Sequence, residues 1–320
     1  MVRLRLVRVS DEAKSLQLGL VGMARSIDRT RYTSSQTVFT SLREFLNADV
    51  IPAGGLTIVH NGIPIDILFL PGKGASSGLF MFHGAVPFDF TLPIFQGGGV
   101  TASLNTHRIF ISDPTLAVSG DSEFDKGLTL SWYAGNYRQP DLQGVIGEII
   151  RKFAVALELK RSVFYGISGG GFASLYFGSK VPGSVIVAIN PQTIIENYLS
   201  WAVQRFANIA FGVKNGLEFP TKELPSHIVT DVREIFSLPV DTTVLYMQNS
   251  DDQLHINDHL RPFLAAVHPA VRVELLMDYW GPRHTQAPKE LMTAVLDMAI
   301  KGEIETQSGV LGFGKASLHR

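Results

Sequence analysis

The feature that most restricts the fold of this chain is an alternation of apolar runs with segments of helical period. Apolar runs of the length of a buried strand include "GLFMFHGAV", "SVFYGIS", "SVIVAIN", "TTVLYMQN" and "VRVELLMD". After Pro140, apolar residues fall at 142, 145, 146, 149, 150, 153 and 157, which is the spacing of one helix face. Repeated strand–helix units favour parallel strands with helices on both faces. The sequence therefore predicts an α/β fold with a mostly parallel, doubly wound sheet.

Breaks in this rhythm predict the domain boundaries. Residues 55–191 and 239–302 form the predicted core, which opens with "LTIVHNGIPIDILFLPG", a hairpin whose Asn61-Gly62 pair suits a type I′ turn. Residues 192–238 are rich in aromatic residues and helical periods, and we interpret them as an inserted helical cap. Residues 1–54 are predicted to be an N-terminal extension packed on the core, with a short strand, a helix over about 11–25 and an amphipathic piece at "TSLREFLNA". Residues 303–320 are expected to form a loosely attached tail.

Composition excludes several classes of protein. The chain has 320 residues, 45% of them hydrophobic and 18% charged, with a formal net charge of −1. That balance supports a large core and gives no reason to expect nucleic acid or an anionic membrane as a partner. Without cysteine there are no disulfides and no thiolate metal ligands. No apolar stretch approaches the roughly 20 residues of a membrane span, so we expect a cytoplasmic protein, and a homo-oligomer is compatible with the sequence.

The segment "FYGISGGGFASLY" at 164–176 leaves a predicted strand through a run of glycines. A phosphate-binding loop would need a Lys after the glycines, and a dinucleotide site would need G-x-G-x-x-G, which Ser174 breaks. The pattern Gly166-Ile167-Ser168-Gly169-Gly170 instead fits G-x-S-x-G, in which small neighbours allow a serine to occupy a strained strand-to-helix turn. Chance matches to this pattern are common, but few lie between a buried strand and a helix. We predict that Ser168 is a nucleophile.

A serine nucleophile needs a base and an acid that orients the base. In a fold of this kind the acid follows Ser along the chain, and "LYMQNSDDQLH" offers Asp251 and Asp252. We prefer Asp252, because Asn249 would then occupy the tight-turn position, although either Asp could instead cap the following helix. The base should lie in the loop after the last strand, where "GPRH" supplies His284.

Acyl transfer also needs hydrogen-bond donors for the developing oxyanion. The backbone N–H of Gly169, directly after the serine, is the first candidate. The second should come from "FHGAVP", where the N–H of Ala85, or alternatively of Gly84, follows a predicted central strand. His83 in the same stretch is expected to brace the loop by hydrogen bonding and not to act as a base.

With "HGA", "GISGG", "NSDD" and "GPRH" in this order, residues 55–302 resemble the α/β-hydrolase superfamily. The resemblance implies a sheet of about eight strands and a catalytic triad of Ser168, His284 and Asp252. The segments "AINPQT" and "QNSDDQLHINDHLRPF" also resemble hydrolase-like proteins encoded with bacterial surface-glycan machinery. The N-terminal 50 residues carry no such likeness.

The segment "HINDH" places His255 and His259 one helical turn apart, as a metal site would. It lacks the Glu of H-E-x-x-H and a third ligand, so a surface or structural role is favoured, and no metal or organic cofactor is predicted. The predicted function is serine-dependent hydrolysis of an ester or related acyl bond in a small-molecule substrate. One alternative is an acyltransferase that passes the acyl group to a sugar hydroxyl. A second is a non-catalytic binding protein on a hydrolase fold.

Overall fold

The computed structural model describes residues 25–118 and 127–316. The strand and most of the helix predicted before residue 25 lie outside these ranges. The described residues form one ten-stranded sheet in the order β1-β2-β3-β5-β4-β6-β7-β8-β9-β10. The strands are β1 Gln36–Phe39, β2 Gly54–His60, β3 Ile63–Leu70, β4 Ser77–Phe82, β5 His107–Ile111, β6 Arg161–Ile167, β7 Ser184–Ile189, β8 Thr242–Asn249, β9 Arg272–Asp278 and β10 Gly314–Lys315.

Strands β4 to β9 pair in parallel, which confirms the mostly parallel sheet. The predicted hairpin is confirmed as well: β2 and β3 are antiparallel, with His60 opposite Ile63, and Asn61 and Gly62 have φ values of 50° and 76°. Both turn residues therefore lie in the left-handed region that a type I′ turn requires.

Helices cover the two faces of the sheet, and apolar residues pack in a separate cluster on each face. The helix predicted after Pro140 is confirmed over Leu142–Ala156. The α-helices are α1 Leu42–Leu46, α2 Gly98–Thr101, α3 Leu142–Ala156, α4 Gly169–Gly178, α5 Ser200–Phe211, α6 Arg233–Phe236, α7 Gln253–His255, α8 Arg261–Ala266, α9 Lys289–Lys301 and α10 Ile304–Gln307. A π-helical turn, Ile256–Leu260, joins α7 to α8. No helix in 25–118 or 127–316 is long and apolar enough to cross a membrane.

The sheet extends beyond the strands that the resemblance implied. Strand β1, from the N-terminal extension, pairs in parallel with β2. At the opposite edge β10 pairs antiparallel with β9, and Phe313 is buried beside it. The expectation of a loosely attached tail is therefore wrong for residues up to 316. The tail satisfies the hydrogen-bonding groups of an edge strand that would otherwise be open.

The insertion between β7 and β8 is helical, as predicted, and contains α5 and α6. It packs against the segment that precedes α3: the Trp132 ring lies 5.4 Å from Phe206 of α5 and 6.0 Å from Tyr198, centroid to centroid. Since β4, β6, β7, β8 and β9 run in the same direction, the segments that leave their carboxyl ends meet at one edge of the sheet. The insertion lies at this edge, where an open α/β sheet ordinarily binds its ligand.

Candidate active site

Ser168 occupies a strained turn between β6 and α4. Its φ of 57° and ψ of −120° are unfavourable for a residue with a side chain. A Cβ placed on Gly166 would lie 1.9 Å from the carbonyl oxygen of Gly170, and one on Gly170 would lie 2.3 Å from that of Phe82. Both positions of the motif must therefore be glycine. The serine is 7% exposed and occupies the N-cap position, at the positive end of α4.

Asp252 follows β8 and lies against His284, which follows β9. His284 Nδ1 lies 2.5 Å from Asp252 Oδ2, and their side chains are 37% and 5% exposed respectively. Burial alone would raise the pKa of Asp252, but hydrogen bonds from His255 and His284 hold it well below its ordinary value. The carboxylate is therefore ionised and acts only as an acceptor.

The other candidate acid, Asp251, lies elsewhere. Its Oδ2 accepts the backbone N–H of Arg283 at 2.6 Å, so it holds the loop that carries His284 without touching the imidazole. Asn249 supports the same loop, since its amide nitrogen donates to the carbonyls of Gly281 and Arg283 at 2.8 and 2.5 Å. Asn249 has no positive φ, so the tight-turn reason for preferring Asp252 is wrong.

The structure brings Ser168, Asp252 and His284 together at the carboxyl ends of the parallel strands, but it does not join all three by hydrogen bonds. Within the described ranges Ser168 Oγ accepts a hydrogen bond from Gln192 Nε2 at 2.8 Å, and none links it to His284. Catalytic hydrogen bonds are often long before substrate binds, so this arrangement is compatible with a base that acts in the complex.

Gly84 and Ala85 leave β4 beside the serine. A Cβ on Gly84 would lie 3.5 Å from Ser168 Cβ, so this backbone approaches the hydroxyl closely. The N–H of Gly84 donates to Gln96 Oε1 at 3.3 Å. The N–H groups of Ala85 and Gly169 have no acceptor among the residues that the structure describes. These two donors are free for an oxyanion, whereas that of Gly84 is occupied.

His83 braces this loop. Its Nε2 accepts the backbone N–H of Asp113 at 3.0 Å, so its Nδ1 must carry the proton that reaches the carbonyl of Gly84 at 2.8 Å. In a trans peptide the N–H points opposite to the carbonyl, so the N–H of Ala85 is directed away from His83. Burial lowers the pKa of His83 to about 4, and the ring is neutral at pH 7.

Gln192 is not among the residues that the sequence singled out, and His255 and His259 were expected to have a surface or structural role. His255 is 3% exposed and His259 is fully buried, so a surface role is wrong for both. His255 Nδ1 lies 2.9 Å from Asp252 Oδ1, and the His255 ring stacks on His284 with centroids 4.1 Å apart. Two features of the sequence could have indicated these roles. His255 lies three residues after Asp252 at the start of a helix, and Gln192 follows β7, the strand adjacent to β6.

Asp252, His255 and His284 are the described residues that could hold a metal ion, since their ligand atoms lie within 4.8 Å of one another. The contacts of Asp252 with His255 and His284 are also hydrogen bonds from an imidazole N–H to a carboxylate. Hydrogen bonds are therefore enough to account for the arrangement, and imidazole and carboxylate groups of this kind can transfer protons.

Comparisons with known proteins show the fold. No family model matches the chain, and no curated protein matches it. Among solved structures, the capsule O-acetyltransferase of Neisseria meningitidis serogroup A, a mutant in complex with CoA, is 14% identical with a TM-score of 0.52, over 75% of this chain and 95% of that one. The S-formylglutathione hydrolase of Agrobacterium tumefaciens is 14% identical with a TM-score of 0.53, over 80% and 97%.

The glycosylation-associated Gap123 complex of Streptococcus agalactiae is also similar, at 17% identity and a TM-score of 0.52, over 80% of this chain and 46% of that chain. Likeness at such low identity establishes architecture and leaves activity open. The chain therefore has an α/β fold similar to those of these proteins, with a helical insertion between β7 and β8.

Proposed function

We propose that this chain is a serine hydrolase that cleaves an ester or related acyl bond through an acyl-enzyme on Ser168. The observation that carries the proposal is the strained Ser168 turn at the same sheet edge as the Asp252–His284 pair. A buried serine at positive φ, flanked by glycines that no other residue can replace, costs folding free energy. Such strain is typical of a functional site, and here it presents the serine hydroxyl.

The proposed reaction uses groups already described. Asp252 fixes the tautomer of His284, which leaves Nε2 with a lone pair. As Oγ of Ser168 attacks the acyl carbon, His284 Nε2 takes its proton, and the carbonyl electrons move to an oxygen that faces the N–H groups of Gly169 and Ala85. Collapse expels the leaving group, which takes the proton from His284. Water then attacks the ester by the same steps and frees Ser168.

A second candidate function is transfer of the acyl group to a sugar hydroxyl. The structural likeness to a capsule O-acetyltransferase solved with CoA supports it. So does the burial of Ser168, whose hydroxyl is bonded to Gln192 at the start of the insertion, since an acyl-enzyme shielded from water survives until an acceptor arrives. The two functions share the first half of the reaction and differ in the acceptor.

The test is turnover of p-nitrophenyl acetate and butyrate by the wild type and by Ser168→Ala. The matched control is Ser174→Ala, which removes a buried hydroxyl further along α4 that bonds only to its own helix. We expect Ser168→Ala to lower the rate by about 10,000-fold or more and Ser174→Ala to change it little. Equal rates in the wild type and Ser168→Ala would refute the proposal.

Intact-mass measurement of the acyl adduct separates the two functions. An adduct that disappears at the turnover rate in water indicates a hydrolase. An adduct that persists in water, and is released when an oligosaccharide is added, with acyl-sugar as the product, indicates a transferase. If no adduct forms even with a fluorophosphonate, the chain is a binding protein on this fold.

A further inference from the structure

Gln192, which follows β7, lies at the centre of a hydrogen-bonded group that joins Ser168 to His255. The geometry points to Gln192 as a further catalytic residue, which donates to Ser168 Oγ, and to His255 as the positioning residue that orients the Gln192 amide. This inference rests on the proposed role of Ser168.

The orientation of the Gln192 amide is decided by Trp132. The indole Nε1 can only donate, and it lies 2.8 Å from Gln192 Oε1. The amide oxygen therefore faces the indole, and the nitrogen faces the serine. Both side chains are buried, at 0% and 1% exposed, so neither can turn to water for a replacement partner.

Asp252 decides where the protons of His255 lie. His255 Nδ1 is 2.9 Å from both carboxylate oxygens, and an ionised carboxylate can only accept. Nδ1 therefore carries a proton, and in the neutral ring Nε2 has a lone pair. Gln192 Nε2 lies 3.2 Å from His255 Nε2 and donates one of its two hydrogens there. Burial lowers the pKa of His255, which favours this neutral ring.

The second hydrogen of Gln192 Nε2 points to Ser168 Oγ, 2.8 Å away. Oγ thus accepts from Gln192, and its own proton is left to donate to another group. The lone pair of His284 Nε2 is the acceptor that remains, because that of His255 is occupied by Gln192. His284 stacks on His255, and both rings are hydrogen-bonded to the Asp252 carboxylate. Of these two neighbouring imidazoles, the arrangement assigns the serine proton to His284.

The same hydrogen bond acts during the reaction. When His284 takes the proton, negative charge develops on Oγ before the new C–O bond is complete, and Gln192 N–H remains directed at that oxygen. A hydrogen bond to a charged group is stronger than one to a neutral group, so Gln192 stabilises the transition state more than the resting serine. Removing it should lower kcat and leave KM nearly unchanged.

The first experiment does not depend on activity. NMR of the full-length protein labelled with 15N-histidine reports which ring nitrogens carry protons. At pH 7 we expect His255 Nε2 to be unprotonated in the wild type, and protonated in Gln192→Glu, where a carboxylate of the same shape replaces the amide. The other charged or titratable groups around His255 are Asp252, Asp258, His259, His284 and Tyr198, and the substitution leaves all of them in place. A protonated Nε2 in the wild type, or no change in Gln192→Glu, would overturn the arrangement.

The second experiment measures the rate at which a fluorophosphonate labels Ser168 in wild type, Gln192→Met and Gln143→Met. Gln143 is the matched control, since it is buried and its amide bonds both ways to the backbone of Val229. We expect labelling to slow by about 10- to 100-fold in Gln192→Met and to be unchanged in Gln143→Met. An unchanged rate in Gln192→Met refutes the catalytic role of Gln192. Wild type that does not label refutes the proposed function instead, and the NMR result still decides the arrangement.

The double variant tests His255 as a positioning residue. His255→Phe keeps a ring against His284 but offers no acceptor to Gln192. We expect a lower labelling rate in His255→Phe, and little further loss when Gln192→Met is added, because the two residues act through one hydrogen bond. Independent losses that multiply would show that His255 does not act through Gln192. Far-UV circular dichroism of each variant verifies that the fold is retained.

Discussion

His83 should make the stability of the folded chain depend on pH in a window set by its burial. The ring is 4% exposed, and both of its nitrogens are hydrogen-bonded to backbone groups. Its folded pKa is about 4, against an ordinary value of 6.5. As pH falls below 6.5, the unfolded chain binds a proton at His83 that the folded chain does not bind until about pH 4. Stability is therefore present above this window and is lost as pH falls through it.

The magnitude follows from the two pKa values. Protonation of His83 in the unfolded state lowers the free energy of unfolding by about 0.2 kcal/mol at pH 7 and by about 2 kcal/mol at pH 5. The free energy of unfolding therefore falls by about 2 kcal/mol between these two pH values. The comparison protein is His83→Gln, whose amide can donate to Gly84 and accept from Asp113 but does not titrate. Burial raises the pKa of Asp113 to about 6, which works in the opposite direction, but Asp113 is present in both proteins.

The assay is urea unfolding followed by tryptophan fluorescence at pH 7, 6 and 5, with the slope m compared to verify two-state behaviour. We expect the wild type to lose about 2 kcal/mol relative to His83→Gln between pH 7 and pH 5. A difference between the two proteins that stays constant over this range would refute the burial of a neutral His83. The brace on the Gly84 carbonyl would then not be the one described.

Two further predictions concern the turn and the acid. Gly166→Ala should destabilise the fold by about 3 kcal/mol or more, because its Cβ would overlap the Gly170 carbonyl. Gly144→Ala is the control, since a Cβ at that position meets open space and should not destabilise the fold. Thermal unfolding measures both variants, and equal melting temperatures would contradict the tight turn. Asp252→Asn should lower kcat by about 10,000-fold, and Asp251→Asn by less than about 3-fold, since only the first residue orients His284 and an Asn at the second still accepts the loop N–H. Ester turnover decides between them, and a larger loss in Asp251→Asn would reverse the assignment.

Much of the architecture could be predicted because its signals are local. The strands are continuous apolar runs, α3 has one apolar stripe, and Asn61-Gly62 can adopt the left-handed turn that few other pairs accept. Since parallel strands end at the same end of a sheet, the segments that follow them lie near each other. The tail could not be read in this way, because its short β10 strand is stable only when paired with β9.

The candidate site likewise contains residues that the local sequence marks and residues that it does not. Ser168 is marked by the glycines around it, and Asp252 and His284 by their order along the chain. Trp132 has no local mark, and Gln192 and His255 have only their positions after a strand and near Asp252, because the roles of all three depend on which hydrogen-bond partners packing brings within about 3 Å. The order Ser, acid, His along the chain marks one histidine, so motif spacing gives no sign of a second histidine on Asp252.

The sequence by itself determined the class of fold and the residues proposed to carry acyl chemistry, because hydrophobic period, turn chemistry and motif spacing act over a few residues. Only the tertiary structure decided which of Asp251 and Asp252 touches His284, which of the Gly84 and Ala85 N–H groups is free, and which partner holds the Ser168 hydroxyl. Each of these is a choice between neighbouring groups, and it depends on distances across strands that are far apart in the chain.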